Sequence, residues 1–319
     1  MKLNNLINLA RAFRSVLLAA FTLIGSGALQ AANTNFFDGP VTVTGTGGGV
    51  IDLNTAGGGN GAGRYCWAIF ALQGGVTITD PAPNAFKDVR GNIGIAQGGT
   101  ITMSNSNVAG TVYLRTGAVP SVPAPATISG GILFAQDPIL NPAQANAYAA
   151  ASAASGLATN NGGGTMTIGG ATPLGVLTNG SFADTASIVF GNTSGQINGA
   201  PGGTYVLNLT NLLLSASTLT LTGSSTTNYV INVSKYLSLG GASKIVLSGG
   251  LQAQNVLFNV RNTAAYDVTM SGASTLDGII LASNRNVKLT GSSVVTGEVI
   301  ARGVSLSGNS KVINTVCSP

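Results

Sequence analysis

Nine carboxylates and no histidine are the whole stock for acid–base chemistry in this 319-residue chain. The acids are Asp38, Asp52, Asp80, Asp88, Asp137, Asp184, Asp267, Asp277 and the single glutamate, Glu298. They are scattered, with no calcium loop of alternating Asp and Asn. Without imidazole the commonest general base and metal ligand is missing. Cleaving a polysaccharide needs clustered carboxylates, often with calcium, and only Asp277 and Glu298 fall on neighbouring repeats close enough to approach each other. Two lone surface carboxylates are usually solvated charges. The sequence therefore predicts no enzyme: no catalytic residue, no metal site and no cofactor.

Hydroxyls are the chemistry that recurs. One seven-residue phrase returns at 219–225 (LTLTGSS), 237–243 (LSLGGAS), 268–274 (VTMSGAS), 287–293 (VKLTGSS) and 304–310 (VSLSGNS). The spacing is nearly even apart from one wider gap, between the second copy and the third, and fainter copies lie at 41–47 and 101–107. First and third residues are large and apolar, which on a strand of period two puts them on one buried face. The second and fourth then point outward. They make a candidate binding ladder of Thr220, Thr222, Ser238, Thr269, Ser271, Thr290, Ser305 and Ser307, interrupted by Gly240 and Lys288. A fifth-position glycine suits a corner with positive φ. The invariant seventh-position serine, from Ser225 to Ser310, can bond backbone groups at that corner.

These residues need elements to hold them in a row. A second strand follows each corner, as at 276–282 (LDGIILA) and 295–301 (VTGEVIA), so the repeat reads as a β-solenoid of about 17–19 residues per coil. Coils at about 4.8 Å make a stack of roughly 50 Å for ten or so. Exposed strand edges at its ends require caps, for which residues 32–63 and the C-terminal tail are the candidates. One segment is helical instead. Asn141 caps, Pro142 opens, and the Ala-rich run continues to 158 before Asn160 and the following glycines stop it. A Pro-rich connector at 119–125 precedes it.

Composition agrees with this reading. With 46 glycines, 44% apolar and 7% charged residues, the chain is neither collagen nor disordered by charge. Residues 1–31 read as a secretory signal peptide: Lys2, Arg11 and Arg14, an apolar run at 16–24 too short to span a bilayer, then small residues with cleavage near Ala28 or Ala31. The remainder, 32–319, is a single domain with its main run of coils at 202–313 and carries a net charge of +2, against +5 for the whole chain. That leaves no footprint for nucleic acid. No transmembrane anchor is expected. In an oxidising compartment Cys66 and Cys317 form a candidate disulfide whose loop of about 250 residues is worth roughly 5 kcal/mol on a chain-entropy model; two free thiols are the alternative.

The order of elements and several local words resemble the bacterial and fungal ice-binding proteins and the related choice-of-anchor A surface domains. The words are 88–95 (DVRGNIGI), 202–208 (GGTYVLN), 229–234 (YVINVS), 255–260 (NVLFNV), and 277–282 followed by 297–302 (GEVIAR). The resemblance implies a mainly β, right-handed solenoid with one helix packed alongside. Two functions fit it. The first is a secreted, non-catalytic adhesion or biofilm-matrix protein whose surface binds polysaccharide, protein or further copies of itself. The alternative is ice binding through the Thr/Ser ladder.

Overall fold

The computed structural model describes residues 65–80, 88–158, 186–192, 194–199, 201–261 and 266–315. It also describes the backbone of short strands at Val41–Thr42, Val50–Ile51, Asn160–Asn161 and Ile168–Gly169. The expected signal peptide and nearly all of the 32–63 cap lie outside the described residues. Those described are mainly β with a single α-helix, α1, at Asp137–Ser155.

Strands pair in parallel with the equivalent strand one rung away. Tyr205 lies opposite Tyr229, Asn232 opposite Asn259, Leu276 opposite Val295 and Leu289 opposite Leu306. The step along the chain from one rung to the next is shortest among Val268, Val287 and Val304. It is longer from Tyr205 to Tyr229, longer again from Tyr229 to Val256, and longest from Ser238 to Thr269. The expected coil length thus holds for the C-terminal rungs and again from Val89 to Val108 and from Ile93 to Val112. Elsewhere corner loops such as 249–255 lengthen the turn without disturbing the register of the strands.

Each rung contributes strands to three faces. Face A holds Val268–Met270 and residues 287–289 and 304–307, face B holds 275–277, 294–296 and Lys311–Ile313, and face C holds Val256–Val260, 279–282 and 298–301. Inward residues such as Ile280, Val287, Leu289, Val295 and Leu306 fill one continuous apolar core.

Stack order departs from chain order. The last full strand, Val294–Ser307, pairs in parallel with Trp67–Ala71 (Val299 opposite Ile69) and with Val76–Thr79 (Val304 opposite Val76). Residues 67–80 and 88–133 therefore continue the stack beyond the C-terminal rung, and the C-terminal strands sit in its middle rather than at an end. At one edge of the stack, Asn160–Asn161 and Ile168–Gly169 pair antiparallel with residues of the outer rungs, which occupies backbone groups that would otherwise invite association.

Helix α1 carries the chain back along face C. It begins at Asp137, ahead of the expected start at Pro142, with Pro138 in its first turn and Pro142 inside it. Asp137 is the reason: its carboxylate accepts from Arg115 Nε at 2.8 Å and from the backbone and hydroxyl of Thr116, which hold it well below the usual carboxylate range and place a negative charge at the helix N-terminus. The helix ends at Ser155, short of the expected end at 158. Leu140, Ala143, Ala147, Ala150 and Ala154 pack on Phe70, Leu72, Val206, Val230, Leu257, Ile279 and Ile300.

A ladder of asparagines fixes the helix to the rungs. Asn208, Asn232 and Asn259 lie in successive rungs, all buried. Their Nδ2 atoms donate to the carbonyls of Leu157 (3.0 Å), Ala154 (2.7 Å) and Ala151 (3.1 Å). They also bond one another: Asn232 Nδ2 donates to Asn208 Oδ1 at 2.9 Å and Asn259 Nδ2 to Asn232 Oδ1 at 2.8 Å. Three helical residues rise about 4.5 Å and rungs lie about 4.8 Å apart. Every third helix carbonyl thus meets the next rung, and the last carbonyls of the helix gain partners.

Candidate functional site

The A–B corner shows why the repeated phrase is built as it is. Gly241, Gly272, Gly291 and Gly308 have φ between 61° and 64°, and each is followed by a second left-handed residue, Ala242, Ala273, Ser292 or Asn309. A Cβ on Gly291 would also sit 3.0 Å from Gly272 N, so glycine is needed both for its φ and for the close stacking of rungs. The serine that ends the phrase is buried. Ser293 Oγ donates to Thr290 O and Ser310 Oγ to Ser307 O, both at 2.7 Å. That column closes the turn and is structural.

Above this corner the outward residues of face A form two rows. One runs Val189, Leu213, Ser238, Thr269, Lys288, Ser305, Thr77, Thr102 and Ser121. In the other, Gly191, Ser215, Gly240, Ser271, Thr290, Ser307, Thr79 and Ser104 succeed one another. Neighbours along a row are about 4.8 Å apart, and the rows, two residues apart on each strand, about 6.6 Å. From Thr290 and Ser305 to Ser104 and Ser121 every position in both rows bears a hydroxyl.

Six of the eight expected ladder residues share this face: Ser238, Thr269, Ser271, Thr290, Ser305 and Ser307. Thr220 and Thr222 do not. Their strand pairs with Ser194–Asn198 and Lys244–Ser248, placing Thr220 beside Gln196 and Val246, and Thr222 beside Asn198 and Ser248, on face B. The phrase at 219–225 is a face B strand. Its Gly223 is absent from the positive-φ glycines and its Ser225 is exposed, unlike the corner residues of the other copies.

In exchange, face A gains Thr77, Thr79, Thr102, Ser104 and Ser121. The strand Ile101–Ser104 lies in a copy recognisable as faint. Val76–Thr79 (VTIT) keeps the alternation but lacks the Gly-x-Ser ending, because Asp80 stands at the corner. Asp80 is buried there and accepts from Asn309 N at 2.6 Å. Asp88, fully buried beside it, is pushed up to about 6 by burial, against the bond it accepts from Asn107 N.

Lys288 interrupts the first row. Its ammonium lies 2.7 Å from Asp267, one rung away, and Tyr266, next to Asp267 in the chain, makes a tilted ring contact with Tyr236 (centroids 4.4 Å apart). The rows are therefore uneven: apolar, aromatic and charged residues lie toward Leu213, hydroxyls toward Ser121. Face B is charged along its length, with Lys244, Asp277, Lys311 and Arg90 at outward positions.

Residues 183–312 match the family model described as ice-binding-like. An ice-binding protein of Flammulina populicola is 34% identical over 100 residues, which are 31% of this chain and 38% of that relative. Among solved structures, the chain resembles a glycosylated ice-binding protein from Arctic yeast (18% identity, 80% of this chain and 94% of that one, TM-score 0.45). It also resembles an ice-binding protein from an Antarctic biological consortium (18% identity, 86% and 95%, TM-score 0.49).

Two expected pairs remain. Register sets Asp277 opposite Thr296 and Glu298 opposite Ile279, so the two acids lie on faces B and C and do not meet. Glu298 is buried on the helix-bearing side of face C, and burial pushes its carboxyl well above the usual range. Cys66 precedes Trp67 at the junction of the first and last rungs, and Cys317 lies outside the described residues. No helix among the described residues is long and apolar enough to cross a membrane.

Proposed function

We propose that this protein binds ice through face A, at the rungs from Thr290 to Ser121. One observation carries the reading: the two hydroxyl rows run unbroken across the junction between Ser305 and Thr77. Threonine offers a methyl and a hydroxyl together, so water is ordered over apolar ground while still hydrogen bonded. Parallel rungs supply a fixed repeat that a flexible surface lacks. We read the parallel stack with lengthened corners as a right-handed β-solenoid, and the match of residues 183–312 to the ice-binding-like model and the name of the relative from Flammulina populicola support ice over the adhesion and matrix reading. The chain spans 38% of that relative's length, so the activity is proposed rather than carried over.

Two further parts belong to the proposal. The chain is exported by the signal at 1–31, cleaved near Ala28 or Ala31. Cys66 and Cys317 are bridged, which the bond from Asn314 Nδ2 to Trp67 O at 2.8 Å supports, since it brings the strand just before Cys317 next to Cys66. Such a bridge would clamp the junction of first and last rungs rather than an end of the stack. The test is to grow single ice crystals in micromolar purified protein beginning at Ala32. Faceting with growth held below the melting point is the expected result, and round, freely growing crystals overturn the reading.

A further inference from the structure

Face B carries a groove of about 680 Å³ that ice binding does not use. Its floor is the row in which Asp277 and Thr296 stand opposite each other, and its wall is the loop 249–255. The loop is anchored, because Asn255, buried at its end, donates from Nδ2 to Asn228 Oδ1 at 3.1 Å. Gln254 Nε2 donates to Gln252 Oε1 at 2.7 Å, so the two amides at the rim are already aligned.

We propose that this groove binds a neutral saccharide through its hydroxyl groups. Among the described residues Asp277 is the one ionisable group lining it, so an anionic ligand meets repulsion with no cation to offset it. A lone carboxylate is a poor cation site. A carboxylate accepts about four hydrogen bonds, and sugar hydroxyls supply donors for those left beside Thr296. The rim amides both donate and accept, and the half-buried Leu247 offers apolar surface to the C–H face of a ring. The volume lies in the range of small-ligand sites, and the largely polar lining suits a ligand rich in hydroxyls.

The test follows backbone amides of the full chain from Ala32 by NMR during titration with neutral cello-, laminari- or N-acetylchito-oligosaccharides. Saturable shifts confined to residues 247–254, 277 and 296 with one of them are expected. Asp277→Ala should weaken binding about tenfold or more, the loss of a charge-assisted bond. The double variant Gln252→Ala/Gln254→Ala, on the loop, should do so even where the Asp277 variant folds poorly. Absence of such shifts with all three sugars, or binding by folded variants within twofold of the parent, overturns the proposal. Ice shaping should be unchanged in every variant, so failure here and failure of the ice reading are told apart.

Discussion

Faces A and C come from the same rungs by the same alternation, yet one is covered and the other open. On face C the outward residues are Val206, Val230, Leu257, Ile279 and Ile300, and α1 lies over them. On face A the corresponding positions hold Thr77, Thr102, Thr290 and Ser305 and face water. Uncovered, these large apolar side chains would leave a patch that invites association, so face C needs its helix. Small hydroxyl residues need no cover. Stability is therefore concentrated under α1 and the proposed activity on face A, and substitutions should separate the two.

The largest effect expected is from Thr77→Tyr with Thr102→Tyr. Bulk at the centre of the open rows should cut ice-growth arrest about tenfold or more, as for a central contact residue, with the thermal unfolding midpoint unchanged. Thr220→Tyr on face B should leave ice growth as it was; equal losses in both would dissolve the distinction between faces.

Next is Asn232→Ala on face C. It removes a bond to Ala154 O and leaves two neighbouring asparagines short of a partner, which should cost about 1–3 kcal/mol of unfolding free energy. Ice shaping at low temperature should survive. Denaturant titration and crystal imaging on one sample would show whether stability and activity move together, which would count against the separation.

Glu298→Gln probes the same face by pH. The folded carboxyl titrates well above its unfolded value because burial disfavours the charge, so the folded state binds the proton more tightly. Stability then falls as pH rises from about 4.3 toward the folded value. The glutamine variant should equal the parent near pH 4 and exceed it increasingly at neutral and alkaline pH. A constant difference across pH would mean that Glu298 is not held neutral.

The smallest effect is a gain. Lys288→Thr would join the hydroxyl row to Thr269 and Ser238 beyond it and remove a half-exposed ion pair worth little by itself. Ice-growth arrest should rise, by less than about twofold, measured at equal concentration. A fall would place the lysine in the binding surface.

Much of the architecture was legible from local pattern. Period-two alternation marked the strands at 287–289 and 304–307, and the Gly-x-Ser ending marked the corner they share. The Ala-rich run marked the helix, though Asp137 and Pro138 rather than Asn141 and Pro142 start it, because Arg115 and Thr116, from a strand end well upstream, complete the N-terminal site. Site residues were less legible. Thr220 and Thr222 have the right phrase on the wrong face, and Thr77 and Thr79 the right face without the full phrase.

What the sequence determined by itself is therefore the rung: which side chains go inward, where the chain turns, and which residues can carry hydroxyls. Those are decided within a few residues by strand periodicity, φ at a corner and burial of a side chain. Which rungs are neighbours was decided only by the tertiary structure. Pairing Val299 with Ile69 joins strands from opposite ends of the strand-forming sequence, and no local preference encodes that contact. It forms because the last rung and the first present matching edges once α1 has carried the chain back along face C.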